Sequence, residues 1–123
     1  MSAKTVEDWA KRAARAASDK KADDPVVLDV GAVLAITDYF VIVSGANTRQ
    51  VRTIADAVEE ELGRDDGPKP RQVEGLDQLS WVLIDYGDLV VHVFLDETRR
   101  YYELERLWSD VPRIAWAEPV PTS

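Results

Sequence analysis

The feature that most constrains the fold is the run WVLIDYGDLVVHVFL, from Trp81 to Leu95. Two alternating stretches of β-branched and aromatic residues flank Gly87 and Asp88, and glycine as the first of two loop residues is typical of a type II′ hairpin turn. Because a two-residue loop fixes the register, the pattern predicts that Tyr86 faces Leu89, and so on outward until Trp81 faces Phe94. The chain is therefore expected to contain an antiparallel hairpin that other elements cover.

The predicted register divides the hairpin into two faces of different chemistry. The first is mostly branched-aliphatic and predicts a core surface, made of Val82, Ile84, Tyr86, Leu89, Val91 and Val93. The second is larger, more aromatic and carries polar tips, a composition typical of protein interfaces, and consists of Trp81, Leu83, Asp85, Val90, His92 and Phe94. We predict a partner-binding site composed of this second face together with two residues near the turn, Tyr86 and Asp88.

The rest of the chain alternates helical and strand patterns. Thr5 and Asp8 form a capping-box pattern at the start of a helix, and Tyr101, Leu104 and Trp108 fall on one stripe of the last helix. The predicted helices are 6–18, 47–62 and 97–109, and the predicted strands are 26–30, 39–44, 71–74 and the two hairpin strands. The order α-β-β-α-β-β-β-α predicts an α/β fold in which helices flank a mixed sheet of about five strands. At 123 residues, we expect one domain over 1–123, with frayed ends at 1–4 and 117–123.

The residues that usually carry catalysis are scarce. The chain has no cysteine and one histidine, His92, so a thiolate metal site or an imidazole cluster is excluded. His92 lies diagonally across the hairpin from Asp85, which allows a structural His–Asp contact or a catalytic dyad. We favour the structural contact, because Ser44 and Ser80 lack any motif of an activated nucleophile. We therefore expect no enzyme, no catalytic residue, no cofactor and no metal.

A glycine between a strand and a helix offers one further place for a ligand. Gly45 lies in the sequence SGAN, which lacks the spacing of a phosphate-binding loop, although a helix N-terminus near Arg49 and Arg52 could hold an anion. Ion pairs between these arginines and neighbouring carboxylates are the simpler interpretation, and we favour it.

The charge distribution indicates the kind of partner. A net charge of −8 disfavours phosphate backbones as the principal contact and fits a basic protein. The first helix is basic by contrast, so a minor contact with RNA stays open. The absence of cysteine, of a signal-peptide pattern and of a membrane-spanning apolar run predicts a cytoplasmic protein with no membrane contact.

Several segments together closely resemble the ribosome silencing factor family, also called the Iojap family: TDYFVIVSG, QVRTIADAV, EG at 74–75, WVLIDYGDLVVHVF and RRYYELERLWSDVP. The resemblance covers nearly the whole chain. It implies binding of the large ribosomal subunit through ribosomal protein L14, blocked joining of the small subunit, and repression of translation when nutrients are short. It also implies a homodimer when the protein is free.

The resemblance implies a fold similar to that of nucleotidyltransferases, which suggests an alternative function as a degenerate or unusual nucleotidyltransferase. Those enzymes follow a Gly-Ser turn with an Asp-x-Asp metal pair on the next strand. Here Gly45 is followed by Ala46, and the following strand carries no such pair. The sequence therefore favours a steric repressor over an enzyme.

Overall fold

The computed structural model describes residues 5–117. The predicted frayed ends lie outside these residues, except for Ala117. Within the described part of the chain, no helix is long and apolar enough to cross a membrane.

The centre of the molecule is one mixed five-stranded sheet, as the sequence predicts. In chain order its strands are β1 (Asp23–Asp29), β2 (Tyr39–Gly45), β3 (Gln72–Glu74), β4 (Trp81–Asp85) and β5 (Leu89–Leu95). Across the sheet the order is β1-β2-β5-β4-β3, and β2 and β5 form the parallel pair among antiparallel neighbours. Strand β1 begins before its predicted start, and its register shifts between Asp23 and Val26.

The predicted hairpin register is confirmed. Trp81 pairs with Phe94 and Leu83 with His92, and the amide of Tyr86 donates to the carbonyl of Leu89 at 2.8 Å. Gly87 has a φ of +91°, the left-handed region that the first loop position of this turn requires. The turn therefore sets which side chains share a face of the sheet.

Helices α1 (Val6–Asp19) and α2 (Thr48–Leu62) cover the first hairpin face. The predicted capping box is present: Thr5 Oγ1 accepts from the Asp8 amide at 3.1 Å, and Asp8 Oδ2 accepts from the Thr5 amide at 3.0 Å. The buried stripe of α1 is all alanine, which lets the helix backbone lie close to its neighbours, and consists of Ala10, Ala13, Ala14 and Ala17. These helices and the aliphatic face of the sheet form the first core.

The predicted continuous helix over 97–109 is wrong. The structure has two short helices, α3 (Asp96–Tyr102) and α4 (Leu104–Leu107), separated by Glu103 at a φ of +47°. Beyond α4 the chain runs to the edge of the sheet, where the Ile114 amide donates to the Val27 carbonyl at 2.9 Å. The break turns Leu104 and Trp108 toward the sheet and leaves Tyr101 exposed, so the three predicted stripe residues do not share one environment.

A second core lies on the opposite face of the sheet. Its buried members are Val26, Leu28, Val30, Ile42 and Phe94, and the partly buried side chains that pack on them include Leu34, Phe40, Trp81, Leu104, Trp108 and Val111. Phe40 and Trp81 belong to the sheet itself, whereas the others come from the loop after β1, from α4 and from the segment that follows α4. The cover lies mainly over β1 and β2, because the C-terminal segment pairs with the β1 edge.

Candidate partner-binding face

The second face of the hairpin consists of two layers in the structure. We call Trp81, Leu83, Asp85 and Val90 the hairpin surface, because each is partly exposed. His92 and Phe94 lie below it, at 5% and 0% exposure. The prediction that His92 and Phe94 present surface to a partner is therefore corrected. Phe94 belongs to the second core, and His92 is buried against Phe40 and Phe94, since the chain around α4 covers the inner part of this face.

Tyr86 and Asp88, the two site residues predicted near the turn, differ in burial. Asp88 is exposed, and its backbone carbonyl accepts from the amides of Asp38 and Tyr39 at 2.9 and 3.1 Å. Tyr86 packs instead against the first core, and its hydroxyl is buried with no hydrogen-bond partner among the described residues. Burial, and to a lesser extent the charge of Glu59, raises the pKa of Tyr86. Of these two residues, Asp88 is therefore the one that extends the hairpin surface, at its turn end.

The expected structural contact between His92 and Asp85 does not form. Asp85 Oδ1 accepts from the Gly87 amide at 2.7 Å, which stabilises the turn. His92 Nδ1 accepts from Trp81 Nε1 at 3.1 Å, and His92 Nε2 is buried without a partner among the described residues. Because neither imidazole nitrogen reaches the carboxylate, the geometry gives no His–Asp dyad.

Two exposed tyrosines extend the aromatic surface beyond the hairpin. The ring of Tyr102 lies 5.1 Å from that of Trp81, and the ring of Tyr101 lies 5.0 Å from that of Tyr102. Tyr101 is 81% exposed and Tyr102 is 52% exposed. Sequence reasoning assigned this helix to packing, so it missed them. The available signal was the pair of adjacent tyrosines, because neighbouring residues of a helix lie about 100° apart and do not both face one core.

Arg99 is a second residue that the sequence did not single out. Its guanidinium is nearly buried and donates to the backbone carbonyls of Asp23 and Asp24, to Ser44 Oγ, and to Glu105 Oε1 at 3.1 Å. These bonds link the start of β1, the end of β2 and both sides of the helix break. Arg99 thus fixes the position of α3 and, with it, the two tyrosines.

The positions considered for small ligands have structural explanations. Within residues 5–117, no group of three or more His, Asp or Glu side chains could hold a metal ion. At the N-terminus of α2, Asn47 Oδ1 accepts from the Gln50 amide at 2.8 Å and Gln50 Oε1 accepts from the Ala46 amide at 2.7 Å. Arg52 pairs with Asp56 at 3.3 Å, as the ion-pair interpretation predicts.

Basic residues of α1 form contacts within the molecule. Lys11 pairs with Glu7 at 3.1 Å, and Arg12 pairs with Glu61 on α2 at 2.6 Å. Arg15 donates to the backbone carbonyl of Trp116 at 2.8 Å. The carboxylates of Glu7 and Glu61 offset part of the positive charge of α1, which weakens the case for RNA binding at this helix.

Comparisons with known proteins agree with this architecture. The profile of a family described as "Ribosomal silencing factor during starvation" matches residues 3–123. "Ribosomal silencing factor RsfS" of Bacillus subtilis is 42% identical over 102 residues, which are 83% of this chain and 86% of that protein. "Mitochondrial assembly of ribosomal large subunit protein 1" of Mus musculus is 37% identical over 93 residues, 73% of this chain and 40% of that protein. A crystal structure of a Chromobacterium violaceum protein matches with a TM-score of 0.81 at 33% identity, covering 86% of this chain and 88% of that one.

Proposed function

We propose, from the premise that this chain belongs to the ribosomal silencing factor family, that it represses translation by docking on the large ribosomal subunit. In this proposal the hairpin surface and Asp88 bind ribosomal protein L14. The bound protein then occupies the position that the small subunit needs, so the subunits do not join under nutrient limitation. Residues 1–123 act as one domain.

The exposed layer of the hairpin is the observation that carries this proposal. Leu83 and Val90 are partly exposed diagonal neighbours on adjacent strands, because Leu83 pairs with His92 and Val90 pairs with Asp85. Trp81 borders them at one end and the carboxylates of Asp85 and Asp88 at the other. An apolar centre with charged residues at its margin is the usual composition of a protein interface.

The charges favour a basic protein as the partner. The chain has a net charge of −8, and the carboxylates at the margin of the hairpin surface would attract lysine or arginine side chains. Ribosomal RNA would meet a surface with the wrong sign over most of the molecule, so we propose at most a minor RNA contact. The name of the mouse relative associates a similar protein with the large ribosomal subunit, which supports the choice of subunit.

Three further properties complete the proposal. The free protein is a homodimer, it acts in the cytoplasm, and it works by steric exclusion without a catalytic residue, a cofactor or a metal. Light scattering of the free protein would give its mass and test the dimer.

The test combines binding with subunit joining. Purified protein is mixed with isolated large subunits and sedimented, and light scattering then follows joining after small subunits are added. We expect cosedimentation without any nucleotide and a dose-dependent loss of joining. Trp81→Ala should weaken binding by about thirtyfold, since aromatic anchors commonly contribute 2 kcal/mol or more.

Leu83→Ala should weaken binding to a smaller extent. Glu60→Ala, an exposed α2 position on the opposite side of the sheet, serves as the matched control and should bind normally. Cosedimentation that depends on a nucleotide and a metal, with turnover of the nucleotide, would support the nucleotidyltransferase alternative instead. Absence of binding by the wild-type chain would contradict the proposal.

A further inference from the structure

A hydrogen bond inside the hairpin fixes the orientation of Trp81. The indole Nε1 donates to His92 Nδ1 at 3.1 Å. The two residues are diagonal neighbours on one face, because Trp81 pairs with Phe94 while His92 pairs with Leu83. The bond therefore depends on the rotamers of both side chains as well as on the strand register.

Aromatic neighbours hold the imidazole of His92 in place. Phe40 meets it edge-on, with 4.8 Å between ring centroids and 82° between planes. Phe94 lies nearly parallel to it, at 6.2 Å and 12°. Because the ring is also 95% buried, its packing sets the direction in which the Nδ1 lone pair points.

The same bond specifies the tautomer of His92. Nδ1 accepts a hydrogen bond only when it carries no proton, so the neutral ring has its proton on Nε2. Burial lowers the pKa of His92 to about 4, which keeps the ring neutral at physiological pH. Nε2 has no partner among the described residues, and an unpaired buried N–H carries a desolvation cost. An aliphatic residue would fill this space without that cost, so packing alone does not explain a histidine here.

The inward hydrogen bond changes what Trp81 offers to a partner. The indole N–H is the polar atom of the side chain, and it points into the protein. Phe94 supports the ring from the core at 4.8 Å, and Tyr102 lies beside it at 5.1 Å. The exposed part of Trp81 is therefore carbon, a surface suited to the stem or the cation of a lysine or arginine.

We propose that His92 is a positioning residue: it holds Trp81 so that the indole presents carbon to a basic side chain of the partner, and it does not itself touch that partner. This inference rests on the proposed function, because the partner is the one docked on the hairpin surface. It replaces the sequence-based expectation that His92 contacts the partner directly. The chemistry of the contact is then apolar and cation–π, with no acceptor needed for the indole N–H.

The first test measures the hydrogen bond itself and does not involve the partner. ¹⁵N NMR of the wild-type chain reports which imidazole nitrogen carries the proton, and hydrogen exchange reports the protection of the Trp81 indole N–H. We expect a proton on Nε2 of His92 and, for the indole, exchange at least about tenfold slower than in His92→Gln. A proton on Nδ1, or equal indole exchange in both proteins, would overturn the inference.

The second test uses two substitutions that differ in where they place an acceptor. The side-chain oxygen of asparagine lies at about the distance of Nδ1 from the backbone, whereas that of glutamine lies near Nε2. His92→Gln should weaken binding to large subunits by about tenfold, and His92→Asn should stay within about threefold of wild type. Far-UV circular dichroism confirms that both variants are folded at the assay temperature.

A Trp81→Ala background separates positioning from direct contact. If His92 acts only through Trp81, His92→Gln has no further effect on binding in this background. An equal loss with and without Trp81 would mean that His92 contacts the partner itself and would overturn the inference. Failure of the wild-type chain to bind large subunits would overturn the proposed function and the partner role of His92 together, whereas wild-type affinity in His92→Gln would overturn the positioning role alone.

Discussion

Lowering the pH from 7 to 5 should destabilise this protein through one buried ring. Burial lowers the pKa of His92 to about 4, while the unfolded chain has the ordinary value near 6.5. Between these values the unfolded state binds a proton that the folded state excludes, so the free energy of unfolding falls with the pH. The contribution is fully present above pH 6.5 and is lost as the pH falls toward 4. At about 1.4 kcal/mol per pH unit, the loss by pH 5 is about 2 kcal/mol.

Other titrating groups shift stability in the opposite direction. Burial raises the pKa of Glu59, and a hydrogen bond with Asp96 is the main cause of the raised pKa of Asp23. A carboxyl group with a raised pKa favours the folded state as the pH falls through that pKa, so these groups offset part of the loss. They are common to the wild type and to a His92 variant, and they cancel when the two proteins are compared.

The assay is urea denaturation at pH 7 and pH 5, with wild type and His92→Asn measured in parallel. The variant carries no titrating ring at this position, so we expect the wild type to lose about 2 kcal/mol more than the variant between the two values. Equal losses in the two proteins would refute the conclusion that His92 is buried in its neutral form. The slopes of the urea curves should agree, so that the extrapolated energies are comparable.

Three further predictions concern the second core, the helix break and the charged margin. Phe94→Ala should lower the free energy of unfolding by about 3–5 kcal/mol in urea denaturation. Tyr101→Ala, at an exposed position, should change it by less than about 0.5 kcal/mol. Similar losses in the two variants would place Phe94 outside the core. Arg99→Met should lower the free energy of unfolding by about 3 kcal/mol, because the Asp23 carbonyl and Ser44 Oγ lose their hydrogen-bond donor. Thermal unfolding measures this loss, and an unchanged Tm would contradict it. Asp88→Lys should slow association with large subunits about tenfold at low salt in stopped-flow experiments, whereas Glu60→Lys should not slow it. Equal effects of the two substitutions would mean that the charge of Asp88 does not guide the hairpin surface to its partner.

The hairpin could be predicted from the sequence because its determinants are local. A two-residue turn with glycine first fixes the register, and the alternation of side chains then follows from the geometry of a strand. The capping box of α1 is local for the same reason. Both features depend on residues within a few positions of one another, so no knowledge of the rest of the chain was needed.

The second core could not be predicted, because a large aromatic face is equally suited to a partner and to another part of the same chain. Which of these covers Phe94 depends on where the C-terminal segment goes. That path depends on the break at Glu103, a non-glycine residue at positive φ that sequence pattern does not mark. Arg99 bonds to residues about 75 positions away in the chain, beyond the reach of any local rule.

The Trp81–His92 hydrogen bond lies between these two cases. The register placed the residues on one face and made their proximity predictable, but the identity of the hydrogen-bonded pair depended on rotamers. The sequence reasoning paired His92 with Asp85, which is its other diagonal neighbour in the same register. In the structure, the Gly87 amide donates a hydrogen bond to Asp85 Oδ1, and the Trp81 indole N–H donates one to His92 Nδ1.

Site-specific photocrosslinking from the hairpin surface tests most directly whether this surface binds ribosomal protein L14. A photoreactive phenylalanine analogue is placed at Leu83 in one protein and at Glu60 in another, both are bound to isolated large subunits, and the crosslinked ribosomal protein is identified by mass spectrometry. Sedimentation first confirms that both proteins still bind. We expect a crosslink from Leu83 to ribosomal protein L14 and none from Glu60 to that protein. A crosslink from Glu60 to L14, or from Leu83 to a different ribosomal component, would show that the hairpin surface is not the L14-binding face.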